Sequence, residues 1–157
     1  MELQKLYLYG WPISDLGPLE GMGLIELNLV DTAVSDLGPL SSSPLEMLWL
    51  TRSPVRDLTP LASCPLVSLT LRQTPVETLE PLAGMALQRL HVGETSIRDF
   101  SPVLQMPLTR LIFTPRQVEV GLEEIRKMPF LTELGISFED RMPPGQFWTA
   151  YDQGEYR

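Results

Sequence analysis

Apolar residues return along this chain in a fixed pattern with a period of 21 residues. Five copies of the pattern, which reads approximately LxxLxLxxTxVxDLxPLxxxP, open at Leu24, Leu45, Leu66, Leu87 and Leu108. An earlier copy opens at Leu3, and an altered one opens at Leu131 after an interval of 23 residues. Self-similarity at a period of about 20–29 residues is typical of a stacked solenoid, because a single repeat cannot bury its apolar residues alone.

Each copy contains one short strand and one short helical turn, judged by its polar and apolar positions. In the copy from Leu45 to Pro65, leucines alternate with other residues over residues 47–51, and this period of two predicts a half-buried strand. Asp57 then precedes a leucine and a proline, so it suits the cap of a helical turn that Pro65 ends. We therefore expect an α/β repeat solenoid with about seven parallel strands on its concave face and 3₁₀ or irregular turns on its convex face.

The pattern changes near the C-terminus, where α-helices are expected. Apolar residues at helical spacing predict a helix over Val118–Met128, and Leu131–Phe138 is expected to form the last strand. An aromatic-rich helix over Gln146–Gln153 is expected to cover the last repeat, as solenoids require. These features divide the chain into repeats over residues 1–138 and a helical cap over residues 139–157.

The N-terminal edge differs, because Leu3 already belongs to a complete repeat and no capping segment precedes it in this sequence. An uncovered core and strand edge favours association with other chains. Two explanations stay open at this point. The chain is the C-terminal part of a longer protein, which we favour, or the edge pairs with a second copy of the chain.

The 21-residue copies resemble bacterial leucine-rich repeats, with Thr32, Thr74 and Thr95 at the position where that family usually has asparagine. The Asp-Leu-x-Pro-Leu segment resembles the internalin type of these repeats, one residue shorter. The resemblance covers residues 3 to about 138. It implies a leucine-rich repeat arc in which hydroxyls at the asparagine position bond backbone groups of the turn.

A second resemblance concerns the tail of the chain. Scattered identities there resemble the ends of repeat segments attached to bacterial serine/threonine protein kinases. They are Thr114-Pro115-Arg116, Gly121-Leu122, Ile125-Arg126, Met128, Phe147-Trp148, Tyr151-Asp152 and Gly154-Glu155. The resemblance implies a kinase-linked parent protein, whereas the chain itself contains neither the His-Arg-Asp nor the Asp-Phe-Gly motif of a kinase domain.

The net charge of −8 and the pI of about 4.6 narrow the choice of partner. An acidic chain repels phosphate backbones and anionic lipids, so nucleic acid and membrane surfaces are poor partners. No apolar run is long enough to cross a bilayer. Cys64 is the only cysteine, which excludes an intrachain disulfide, and no signal peptide is visible, so we expect a cytoplasmic location.

Reactive residues are few and are not grouped in the sequence. His91 is the only histidine and is expected in an exposed column of a strand, on the side of the repeat away from Cys64. This placement excludes a His/Cys metal site. The aspartates that recur at one repeat position suggest calcium, but each precedes the convex leucine, where a cap is needed. We predict no catalytic site, no metal and no cofactor.

The outward positions of the strands are the best candidate for a binding surface. Together with the turn position that follows each strand, they carry five basic residues against three acidic ones, on an otherwise acidic protein. Aromatic and arginine side chains are enriched in binding hot spots. The candidate residues are Tyr7, Tyr9, Trp49, Arg52, Arg72, Arg89 and His91. An ordinary solvated face is the competing interpretation; we predict a protein partner, with Trp49 and Arg72 at the centre.

Overall fold

The computed structural model describes residues 3–156, and within that range the strands form one parallel sheet whose order follows the chain. The strands are β1 (Lys5–Tyr7), β2 (Glu26–Asn28), β3 (Met47–Trp49), β4 (Ser68–Thr70), β5 (Arg89–His91), β6 (Arg110–Ile112) and β7 (Glu133–Gly135). From β1 to β6 each residue pairs with the residue 21 positions later, for example Lys5 with Glu26. The sequence period is therefore the register of the sheet.

Every strand has a leucine in the middle, and this leucine points into the core. From β2 onward these leucines are buried, including Leu48 and Leu69. In β1 the equivalent Leu6 is only partly buried, because no further strand of the described chain lies beside it. The first and third residues of each strand point the other way, and with the residue two positions further they form the concave face.

Each strand is followed by a tight turn that repeats along the solenoid. Asp31, Arg52, Gln73 and Glu94 occupy equivalent positions there, all with a left-handed backbone at φ between 54° and 59°. The next residue of each copy is Thr32, Ser53, Thr74 or Thr95, whose hydroxyl donates to the carbonyl three residues earlier at 2.7–2.8 Å. These bonds confirm the role that the resemblance implied for the asparagine position.

The convex side consists of short 3₁₀ segments, as predicted. They span Gly17–Leu19, Gly38–Leu40, Thr59–Ser63, Glu80–Leu82 and Ser101–Val103. A further 3₁₀ segment, Pro115–Gln117, directly follows β6 at the position of the tight turn. In four copies an aspartate side chain accepts a hydrogen bond from the backbone N–H two residues later, as Asp57 does from Thr59 at 2.8 Å. Thr78 takes this place in the remaining copy with its hydroxyl. The aspartate column is therefore a set of caps, and the hydrogen bonds from Thr59 lower the pKa of Asp57.

The helix predicted over Val118–Met128 is much shorter in the structure, where α1 spans Leu122–Ile125. Residues 118–120 stay extended because they bond the preceding repeat: the Glu119 and Val120 amides both donate to the Arg98 carbonyl, at 2.8 and 3.2 Å. Gly121 then turns the chain with φ of 98°. The helical spacing of the apolar residues was misleading here, because residues 118–120 hydrogen-bond to the preceding repeat and therefore do not form a helix.

The last strand is also shorter than the predicted Leu131–Phe138. β7 ends at Gly135, and the chain turns back so that Met142 pairs with Leu134 through two backbone hydrogen bonds of 2.9 Å. Residues 136–142, which we name the covering segment, therefore lie against the concave face. The turn is possible because Gly135 has no side chain: a Cβ there would come within 3.0 Å of the Ser137 carbonyl oxygen.

The chain ends in a helix, α2 (Pro144–Asp152), that lies over the last repeat. Phe147 is fully buried, and its ring contacts Phe113 at a centroid distance of 5.8 Å. Gly154 ends the helix with φ of 94°. Within residues 3–156 no helix is long and apolar enough to cross a membrane. Residues 1–2 of the predicted repeat region and residue 157 of the predicted cap lie outside the described residues.

Candidate functional site

The N-terminal half of the concave face is open and aromatic. Tyr7 and Tyr9 are 55% and 62% exposed. The ring of half-buried Trp49 lies 6.4 Å from the Tyr7 ring, two strands away. The Tyr7 hydroxyl donates to Glu26, whose carboxylate also pairs with Lys5 at 2.7 Å. We name Tyr7, Tyr9 and Trp49 the aromatic patch.

The positive charge predicted for this face is largely neutralised by ion pairs between neighbouring repeats. Arg52 pairs with Asp31 at 2.5 Å, and Arg72 pairs with Glu94 at 2.6 Å. Arg110 pairs with Glu133 one strand further along. Hydrogen bonds from these arginines hold the pKa values of Asp31, Glu94 and Glu133 below the usual range for carboxylic acids.

Arg89 differs from the other predicted arginines. In residues 3–156 no carboxylate lies within ion-pair distance of it, and its guanidinium instead approaches the Met47 sulfur at 3.9 Å. A thioether is only a weak acceptor. Arg89 is therefore a partly exposed cation without an anionic partner.

His91 was expected to be exposed, and this expectation is wrong. Its side chain is 3% exposed, because Phe138 of the covering segment lies edge-on against it at a ring-centroid distance of 4.9 Å. Neither ring nitrogen has a hydrogen-bond partner among the described residues. Burial, with a smaller contribution from Arg72, lowers the pKa of His91 to about 4, so the ring is neutral near pH 7. Phe138 therefore covers the His91 ring, which is not exposed on the concave face as expected.

The covering segment was not found from the sequence, although two glycines signal it. Gly93 and Gly135 occupy outward positions where other copies have side chains such as Arg72 and Trp49. A Cβ at Gly93 would lie 3.3 Å from the Ile136 carbonyl oxygen. Isolated glycines in strand positions indicate a close backbone approach, and here the approaching backbone is the covering segment.

A recess lies on the concave face between β3, the covering segment and β6. Its volume is about 120 Å³. Its side chains include Met47, Trp49, Ser68, Thr70, Arg89 and Phe138, with His91 among the buried residues beneath them. We name it the Arg89 recess. It combines aromatic and thioether walls with two hydroxyls and two guanidinium groups, of which that of Arg110 pairs with Glu133. This composition suits binding more than catalysis.

Within residues 3–156, the other reactive groups do not assemble into a site. Cys64 is buried beside the Leu40 carbonyl, with its sulfur 3.3 Å from the oxygen, and burial raises the pKa of its thiol. This placement makes Cys64 a small side chain that fills the core. Among residues 3–156 no three histidine, cysteine, aspartate or glutamate side chains are grouped so that they could hold a metal ion.

Solved structures provide the comparison with known proteins, because no protein-family model and no curated protein matches the sequence. An internalin (inlF) from Listeria monocytogenes is similar over 85% of this chain and 40% of its own length, with a TM-score of 0.76 and 33% identity. An internalin C2 (inlC2) from the same organism is similar over 81% of this chain and 68% of its own, with a TM-score of 0.61 and 23% identity. The chain thus spans less than half of the first structure. Together with the parallel sheet and the 3₁₀ turns, these likenesses confirm the predicted leucine-rich repeat solenoid.

Proposed function

We propose that this chain is a non-catalytic interaction module that binds a protein partner on the N-terminal half of its concave face. The main support is the exposure of Tyr7 and Tyr9, at 55% and 62%, beside half-buried Trp49. Exposed aromatic side chains that share one surface are typical of sites that partners bury. The C-terminal half of the face is less suitable, because the covering segment lies over His91 there.

The ion pairs support a protein partner in a second way. Arg52 and Arg72 keep their guanidinium groups in fixed positions through Asp31 and Glu94, and Arg52 also lies close to Tyr9 of the aromatic patch. Side chains that are already ordered lose less conformational entropy when a partner binds. Exposed ion pairs of this kind add little to the free energy of folding. We therefore assign their ordered arrangement to recognition of the partner and not to stability.

The test uses a partner isolated from the source organism and then purified. Trp49→Ala is expected to weaken binding about 30-fold, which corresponds to a hot-spot contribution of about 2 kcal/mol. Arg72→Glu is expected to abolish binding, because it also repels Glu94. Affinity is measured by calorimetry, and thermal unfolding checks that both variants stay folded.

Matched controls lie away from the concave face. Phe130→Ala removes an aromatic ring that is 60% exposed, and Arg56→Glu reverses a surface charge that pairs with Glu77. Both controls are expected to bind the partner as the wild type does. If Trp49→Ala and Arg72→Glu also leave the affinity unchanged, the concave face is not the binding surface.

The β1 edge supports a second candidate function, association with another copy of the chain. Leu6 and Leu8 are only partly buried, whereas the equivalent Leu27 and Leu29 are fully buried, and Leu3 is 46% exposed. A second β1 edge in contact would bury these leucines. Analytical ultracentrifugation at increasing protein concentration is expected to show a dimer that Leu6→Lys abolishes. A monomer at all concentrations would contradict this candidate.

We further propose that the parent protein is a longer, kinase-linked bacterial chain of which this segment is the C-terminal part, working in the cytoplasm. The tail resemblance to kinase-attached repeats supports the link. The single, buried Cys64 supports a reducing compartment. A kinase domain in the reading frame upstream of the Met1 codon is the expected finding, and a stop codon with a ribosome-binding site there would contradict it.

A further inference from the structure

The Arg89 recess contains hydrogen-bond donors that the described chain leaves without partners. Arg89 has only the Met47 sulfur near it, whereas the neighbouring Arg72 and Arg110 each have a glutamate. The hydroxyls of Ser68 and Thr70 line the same recess, and within residues 3–156 neither makes a side-chain hydrogen bond. A guanidinium with two hydroxyls beside it is a set of donors that suits an anionic oxygen acceptor.

The unpaired nitrogens of His91 are an independent observation at the same place. His91 is buried in the recess, and neither of its ring nitrogens has a partner among the described residues. Unpaired buried polar groups are few in native structures, and a bound water or ion is one of the ordinary reasons for them. Because this ring is neutral near pH 7, the positive charge inside the recess comes from Arg89 and Arg110, and the guanidinium of Arg110 pairs with Glu133.

The charges around the recess single out Arg89, although the whole chain carries −8. Among the arginines in or beside the recess, Arg72 pairs with Glu94, and Arg110 and Arg141 pair with Glu133. Arg89 is therefore the arginine there that has no carboxylate partner among the described residues. A recess with low-dielectric walls concentrates such a field on a ligand.

The size and walls of the recess distinguish between anions. About 120 Å³ holds several water molecules or one small side chain. Met47, Trp49 and Phe138 supply apolar and aromatic surface around the guanidinium. A carboxylate at the end of a short apolar stem satisfies both features, because arginine binds carboxylates with two parallel hydrogen bonds.

We propose that the Arg89 recess accepts the side chain of a glutamate from the protein partner, with an adjacent apolar residue of that partner resting on Trp49. This inference rests on the proposed function and names the chemistry that the partner presents. It extends the binding surface from the aromatic patch on β1 and β3 to the middle of the sheet.

The test titrates the full chain with two defined peptides, acetyl-Ala-Glu-Leu-Ala amide and its matched glutamine version, observed by NMR. The glutamate peptide is expected to bind saturably at millimolar concentration, and to shift the Arg89 Nε–H and Trp49 Nε1–H signals. The glutamine peptide is expected to bind about tenfold more weakly, a difference of about 1.4 kcal/mol. Free N-acetylglutamate, which lacks the apolar neighbour, is expected to bind more weakly than the glutamate peptide.

Variants of the protein identify the group responsible. Arg89→Gln is expected to remove the preference for glutamate, and Arg89→Lys to keep part of it. Arg116→Gln is the matched control, because Arg116 is also an exposed arginine without an ion pair in the described chain but lies outside the recess. It is expected to leave the preference unchanged.

Three results would overturn the inference: equal binding of the two peptides, no saturable binding of the glutamate peptide, or a preference that survives in Arg89→Gln. Equal or tighter binding of N-acetylglutamate would also overturn it, since the recess would then be a small-molecule site. The proposed function fails differently. The glutamate peptide could bind through Arg89 while Trp49→Ala and Arg72→Glu keep full affinity for the purified partner. That result would support the Arg89 recess as a glutamate site and contradict the aromatic patch as the partner's binding surface.

Discussion

Replacing Phe147 with alanine is expected to lower the free energy of unfolding by about 3–5 kcal/mol, the range found for large aromatic residues in cores. Phe147 is fully buried, and its ring contacts Phe113, Trp148 and Tyr156 at centroid distances of 5.8, 5.1 and 5.2 Å. Phe113 in turn contacts Phe100 at 5.6 Å. The substitution therefore removes the ring that joins α2 to the last complete repeats.

The loss is expected to appear first at the C-terminal end, because each repeat of a solenoid contacts only its neighbours. Urea unfolding followed by circular dichroism and by tryptophan fluorescence measures it, since Trp148 lies in the cap while Trp49 lies in the middle of the sheet. Phe130→Ala is the matched control, and its exposed ring is expected to contribute less than about 0.5 kcal/mol. A difference of less than about 1 kcal/mol between the two variants would show that α2 is not the cap of this solenoid.

The repeating part of the fold follows from the sequence because it depends on local and periodic signals. The 21-residue spacing determines the register of β1 to β6, and the leucine columns determine which side is buried. The aspartate caps are equally local, since Asp57 bonds an amide only two residues away. Each of these features is repeated in several copies, so the copies support one another in the prediction.

The candidate site was predicted only in part, because it depends on contacts that do not repeat. The composition of the concave face gave its charges but not the cross-repeat pairs, which depend on how Arg72 reaches Glu94. The covering segment occurs once, so the repeat pattern cannot predict it. The sequence indicates it only through Gly93 and Gly135. These glycines can be interpreted only when it is known that backbone from outside the repeats lies against them.

His91 is expected to titrate near pH 4, well below the value of about 6.5 for a solvated imidazole. Since the unfolded chain takes up this proton between about pH 6.5 and 4 while the folded chain does not, stability rises with pH across that window. The difference corresponds to roughly 3 kcal/mol of folding free energy, present above about pH 6.5 and lost as the pH falls toward 4. Because the chain has one histidine, its NMR signal is unique, and urea unfolding at each pH gives the stability.

Phe138→Ala tests how much of the low pKa of His91 is due to the Phe138 ring rather than to the neighbouring charges. Burial is the main cause of the low pKa of His91, with Arg72 lowering it further while Glu94 and Glu139 raise it. Removing the ring that lies 4.9 Å from the imidazole is expected to bring the pKa of His91 up toward about 6.5. His91→Leu is the control for stability, and it is expected to flatten the pH dependence between about pH 4 and 6.5 without affecting the carboxylates that titrate lower. If His91 still titrates near pH 4 in Phe138→Ala, the Phe138 ring is not what keeps the imidazole away from solvent.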